Sequence, residues 1–151
     1  IIDFGFAKFF EKGIKNKLYV GTPIYMAPEL FDDPFYNNKV DVFAYSIILY
    51  ELTTQNKPWY DKRNLNPFTL AKLVRDGERP KIKKREIPDI YVELIERCWD
   101  SDPNKRPSFK QIVKGFLDHK DEYFDMSVVD EFELEDYIEM VIENLDLEDI
   151  E

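Results

Sequence analysis

The stretch Gly21-Thr22-Pro23-Ile24-Tyr25-Met26-Ala27-Pro28-Glu29 decides how the rest of the chain is read. Its opening is turn-rich, and a short helical piece is expected over residues 26–31. Downstream, residues 39–54 are apolar almost without a break, at Val40, Val42, Phe43, Ala44, Tyr45, Ile47, Ile48, Leu49 and Leu52. A helix that is apolar all round is a buried one. Asn56, which tolerates left-handed backbone, is expected at its end, and Pro58 blocks continuation. A second helix is expected over residues 68–76, stopped by Gly77 and Pro80. A third runs over about 90–99, with Pro88-Asp89 at its start and Asp102-Pro103 beyond its end. A fourth follows Ser108 as N-cap to about residue 117. Upstream, only Ile1-Ile2 reads as the end of a strand. The expected fold class is mainly α.

The 151 residues suffice for one domain with a sizeable core. The net charge of −10 is unevenly spread, because residues 121–151 hold 14 acidic and no basic side chains. Residues 1–120 carry +4. Two parts are therefore expected: a domain over 1–120 and an acidic amphipathic tail over 121–151. In the tail, Leu134, Ile138, Val141, Ile142 and Leu145 share one helical face. The acidity gives no footprint for nucleic acid, and no apolar run approaches a membrane span. The single cysteine, Cys98, excludes an intrachain disulfide and any Cys-rich zinc site. A reducing compartment, the cytoplasm, is the expected location. Cys98 reads as a small buried hydrophobe, and His119, the sole histidine, as a solvated surface residue.

Asp3-Phe4-Gly5 precedes the opening stretch, and alone it would be an ordinary turn aspartate. It is followed in order by Gly21–Glu29, by residues 41–52, by Lys57-Pro58-Trp59, by residues 76–80 (Asp-Gly-Glu-Arg-Pro) and by residues 98–108 (Cys-Trp-Asp-Ser-Asp-Pro-Asn-Lys-Arg-Pro-Ser). Each resembles a landmark in the C-terminal lobe of eukaryotic protein kinases, from the DFG motif through the APE motif onward. The Gly-Thr-Pro-x-Tyr-x-Ala-Pro-Glu form looks like Ser/Thr kinases. The segment around Cys98-Trp99 and Arg106-Pro107-Ser108-Phe109 is similar to the tyrosine-kinase-like group of Ser/Thr kinases. The complete domain of that family is α+β. This chain resembles its C-terminal lobe, with the N-lobe and catalytic loop absent.

The resemblance implies roles residue by residue. Asp3 would chelate the Mg²⁺ that bridges the phosphates of ATP, the two cofactors of the complete domain. Phe4, beside Gly5, would pack toward the missing N-lobe. Gly21, Thr22 and Pro23 would line the pocket for the protein substrate, with Thr22 bonding the catalytic loop. Glu29 and Arg106 would form a buried ion pair anchoring the activation segment. Asp41 would hold the backbone of the catalytic loop. The catalytic base itself belongs to the upstream loop, so no catalytic residue is expected here.

Two departures from the pattern stand out. Ser46 occupies a position that is usually Gly. Between Gly5 and Gly21 there is no Ser or Thr, so Tyr19 is the candidate phosphosite there, against a packing role that leaves no phosphoswitch. The glycines at 5, 13, 21, 77 and 115 form no G-x-G-x-x-G, and His119 forms no His-Arg-Asp loop. The chain opens on Ile1 in mid-motif and reads as a fragment, inactive by itself, of a kinase that transfers the ATP γ-phosphate to protein hydroxyls. Its expected partners are the protein substrate and the missing N-terminal half. The alternative is a catalytically dead binding module acting through its substrate-docking surface or its acidic tail.

Overall fold

The computed structural model describes residue 5 and residues 21–32, 35–62, 65–83, 87–125 and 130–145. By internal contacts the chain divides into Ile1–Pro107 and Ser108–Glu151, whereas the charge pattern changes after residue 120. Among the described residues there are helices and turns and no strand. The mainly α expectation holds. Ile1-Ile2 lies outside the described residues.

Helix α1 (Lys39–Thr54) is the axis of the first unit. Its near-continuous apolar sequence buries Val42, Phe43, Ser46, Ile47, Leu49 and Tyr50. It packs chiefly on α3 (Asp89–Cys98), which contributes Val92, Leu94, Ile95 and Cys98. It also meets the 3-10 turns Pro23–Tyr25 and Pro103–Lys105. Ser46 is fully buried, and its hydroxyl donates to the Phe43 carbonyl at 2.6 Å. That internal bond satisfies the polar group that replaces the usual glycine. Ile48 and Leu52 remain exposed on the same helix.

The end of α1 differs from expectation. The left-handed residue is Gln55 (φ 54°), whose N–H donates to the Glu51 carbonyl at 3.0 Å. Asn56 instead turns its amide onto the Thr54 carbonyl at 2.7 Å. The hydroxyls of Thr53 and Thr54 donate to the Leu49 and Tyr50 carbonyls at 2.8 and 2.7 Å, as threonines in a last turn do. The helix closes one residue before the asparagine, which then caps from outside.

The helical piece expected over residues 26–31 is a 3-10 turn confined to Pro28–Phe31. Two 3-10 turns, Pro23–Tyr25 and Pro28–Phe31, each start on a proline. Pro28 lacks an N–H and holds Ala27 extended (ψ 150°), which prevents one continuous helix. Helix α2 (Pro67–Arg75) packs on both turns. Asn66 caps it by accepting from the Thr69 N–H at 2.9 Å, and Gly77 (φ +85°) ends it.

In the second unit, α4 (Phe109–Asp118) opens with a capping box. Gln111 N–H donates to Ser108 Oγ at 3.1 Å, and Ser108 N–H donates to Gln111 Oε1 at 2.8 Å. A short α5 (Lys120–Tyr123) follows, unforeseen from the sequence. Tyr123 meets the Phe116 ring edge-on at 4.5 Å, and this aromatic clasp folds the chain back onto α4. His119, between the helices, is exposed and bonds Glu122 at 2.9 Å. Helix α6 (Glu131–Leu145) carries the tail. Leu134, Ile138 and Val141 are half-buried, while Phe132, Tyr137 and Met140 are exposed.

Cys98 has no exposed surface, and burial pushes its thiol up to about 12. At neutral pH it is a packed thiol and not a thiolate. Labelling with a thiol-specific reagent should be slow in the folded chain and become complete on adding denaturant. Fast labelling of the native protein would contradict this packing.

Candidate functional site

Gly21 sits at φ +119°, a left-handed conformation that a side chain would strain. Thr22 is exposed, and its carbonyl accepts the Tyr25 N–H at 3.0 Å as the first 3-10 turn closes on Pro23. Tyr25 fixes this turn to α1 by donating to Glu51 Oε2 at 3.0 Å. Burial, and then the Glu51 carboxylate, raise the Tyr25 pKa above the usual phenol value. Between the turns and α2 lies an apolar groove of about 350 Å³, lined by Gly21, Pro23, Met26, Phe31 and Pro67, Phe68, Ala71.

Glu29 and Arg106, 77 positions apart in sequence, meet in a bidentate ion pair. The two guanidinium nitrogens donate to Glu29 Oε1 and Oε2 at 2.7 and 2.8 Å. Arg106 is only 1% exposed, so its remaining donors must also be met. Nε donates to the Asp100 carbonyl at 2.8 Å, and Nη1 also reaches the Lys39 carbonyl at 3.0 Å. Lys39 returns a bond from Nζ to the Arg106 carbonyl at 2.6 Å.

A second arginine completes the cluster. Arg79 and Arg106 both stand over the Phe43 ring, at 5.1 and 5.2 Å from its centroid. Arg79 donates to the Trp99, Val74 and Glu78 carbonyls and to Ser101 Oγ. Burial first, and then the charge of Arg106, push its pKa down to about 10. Neither the stacking nor the Tyr25–Glu51 bond is legible in sequence. The one signal for Arg79 is its place in the run 76–80, which says nothing of Phe43.

Asp41 lies in the first turn of α1 with exposed surface, yet desolvation raises its carboxyl pKa above the usual value. Its side chain has no hydrogen-bond partner among the described residues. Gly5 lies in an exposed turn. Asp3, Phe4 and Tyr19 fall outside the described residues. Among the described residues no three His, Cys, Asp or Glu side chains gather to hold a metal ion. No helix of the described residues is long and apolar enough to cross a membrane.

Comparison with known proteins meets this geometry from the other side. The protein kinase domain family matches residues 1–117. The chain is 39% identical over 112 residues to a probable LIM domain-containing serine/threonine-protein kinase of Dictyostelium discoideum, covering 74% of this chain and 17% of that one. It is 39% identical over 116 residues to the dual specificity protein kinase shkB of the same organism, covering 76% and 18%. It is 39% identical over 117 residues to the serine/threonine-protein kinase VIK of Arabidopsis thaliana, covering 74% and 26%. The chain belongs to the protein kinase domain family. It spans about a sixth to a quarter of the length of these relatives. Its helices and turns are those of the C-terminal lobe of that domain.

Two predictions follow from the charges. Replacing Glu29 by Gln strands the buried guanidinium, and chemical denaturation of the chain should show a loss of about 3–5 kcal/mol. Asp41→Asn should act oppositely. A carboxyl with a raised folded pKa destabilises the fold as pH rises through and above its titration. The variant's melting temperature should therefore match or exceed that of the parent sequence at pH 7, and any gain should vanish below pH ~3, where the aspartate is neutral in both states.

Proposed function

We propose that this chain is a segment of a protein Ser/Thr kinase that transfers the ATP γ-phosphate to hydroxyls of protein substrates. The observation that carries this reading is the buried bidentate Glu29–Arg106 pair. It holds the end of the segment whose beginning, Gly21-Thr22-Pro23, turns beside the groove. In this reading the pair is the anchor of the activation segment, and Gly21, Thr22 and Pro23 face the substrate. Serine/threonine kinases among the relatives support the hydroxyl acceptor.

Asp41 is read as the holder of the catalytic-loop backbone. A desolvated carboxylate without a donor among the described residues suits that role. Mg²⁺ and ATP are proposed for the complete domain, where the metal would neutralise phosphate charge. Asp3 would hold the metal, together with groups supplied by the rest of the protein. The chain's own described contribution is positional: a rigid turn, an anchored segment and a helix axis. We place the protein in the cytoplasm, a location compatible with a single free, buried thiol.

A binding-module reading is favoured by one feature, the groove beneath the exposed Phe68, which needs no catalysis to hold a partner. The purified chain, incubated with radiolabelled ATP, Mg²⁺ and a generic protein substrate, should transfer no phosphate. A longer product of the same gene that includes a His-Arg-Asp loop should label serine or threonine. Phosphate transfer by the chain alone, or none by that longer product, would sink the kinase reading in this form.

A further inference from the structure

Helix α6 lies outside residues 1–117, the part of the chain that the protein kinase domain accounts for. Asp130 caps its start by accepting from the Phe132 and Glu133 N–H groups at 3.0 and 3.2 Å. Leu134, Ile138 and Val141 share one side of the helix and are half-buried. The remaining surface carries two features that helix formation does not explain.

The first is a row of like charges. Glu135, Glu139 and Glu143 succeed one another four residues apart, all exposed, and so stack along one side of α6. Like charges at this spacing destabilise a helix. Glu143 also lies at the negative end of the helix dipole, in a last turn with no basic residue. None of the three forms an ion pair with a described residue. Residues 121–151 hold no lysine or arginine, so nothing along the tail offsets the row.

The second feature is apolar. Phe132 is 82% exposed, and Met140 is exposed as well. With 3.6 residues per turn, both point away from the half-buried side and flank the glutamate row. Whatever covers this side must neutralise the row and bury the apolar side chains together. A second copy would bring the same carboxylates, and nucleic acid or an anionic lipid surface would add more negative charge. The complementary surface is cationic and apolar at once.

We propose that this side of α6 docks a cationic amphipathic helix of another protein. Lys or Arg side chains at four-residue spacing would meet Glu135, Glu139 and Glu143, and the partner's apolar side chains would cover Phe132 and Met140. The charges steer and orient the partner, and the apolar contacts hold it. The proposal goes beyond the kinase reading and does not depend on it.

The test uses the whole chain and a fluorescein-labelled peptide of about 18 residues, Leu and Lys patterned as an amphipathic helix. A peptide of the same composition with the pattern scrambled is the control. In fluorescence anisotropy the patterned peptide should bind at least about tenfold more tightly than the scrambled one. Its affinity should fall steeply between about 50 and about 300 mM salt. Phe132→Ala should weaken binding about fivefold or more with the circular dichroism of the chain unchanged, since the side chain is exposed. The triple variant Glu135→Gln, Glu139→Gln, Glu143→Gln should weaken binding about tenfold and flatten its salt dependence. The same variant should raise the helical signal of the free chain, because self-repulsion is relieved. A row that served only folding or solubility would not couple a gain of helix to a loss of binding.

Equal binding of the two peptides, or binding indifferent to Phe132→Ala, overturns the proposal and leaves the row as a solvated face. Undiminished binding by the triple glutamine variant overturns it too. So does a concentration-dependent dimer abolished by Phe132→Ala, which gives this side of α6 to a second copy. A free chain that expands with salt, and takes the peptide only then, gives it to the chain's own basic residues.

Discussion

The guanidinium of Arg106 is the constraint on which the first unit depends. It gathers the carboxylate of Glu29 and the carbonyls of Lys39 and Asp100, so three distant parts of the chain meet at one planar group. A lysine would offer a single point charge where this site uses a fork of fixed geometry. The net stability of such a pair is small, because desolvating both charges offsets most of their attraction. Its value lies in register. Once the guanidinium is buried, this placement of residue 29 against residues 39 and 100 puts all three of its nitrogens in hydrogen bonds.

Register then passes into the apolar core. Phe43, one turn into α1, has both Arg106 and Arg79 over its ring. Arg79 in turn bonds the Val74 carbonyl in α2 and the Trp99 carbonyl just past α3. The end of α2, the start of α1 and the end of α3 are thereby fixed around one ring. Arg79 has carbonyl and hydroxyl partners and no bonded carboxylate, and burial lowers its pKa.

What the sequence discloses depends on how local the cause is. The capping of α4 by Ser108 and the stop of α2 at Gly77 are set within a few residues, and both were legible. The helical piece expected over 26–31 is confined to Pro28–Phe31, because the ring and missing N–H of Pro28 act on the backbone directly. The left-handed position was assigned to Asn56, while the threonine hydroxyls closed the helix one residue earlier. Glu29 and Arg106 were paired in advance only through the family resemblance, since no local pattern spans their separation. The groove was legible only through the family resemblance, which placed Gly21, Thr22 and Pro23 at the substrate pocket. Its walls come from three elements, and Phe68 in sequence is simply an apolar residue at the start of a helix.

The exposed apolar side chains divide into two kinds, and the helices that carry them explain why. Helix α1 is apolar all round, so it presents more apolar surface than α3 and the turns cover, and Ile48 and Leu52 are the remainder. Their exposure is a property of the helix as a whole. Helix α2 is amphipathic: Leu70 and Val74 are buried while Thr69, Lys72 and Arg75 are exposed. Phe68 breaks that pattern, and a side chain placed against its helix's own periodicity is not accounted for by folding. Asn66, Pro67 and the Asp32–Arg75 ion pair hold the helix on which it stands. The helix is held in place while the Phe68 ring that it carries stands in solvent. The anchored segment and the groove are therefore two uses of one rigid frame.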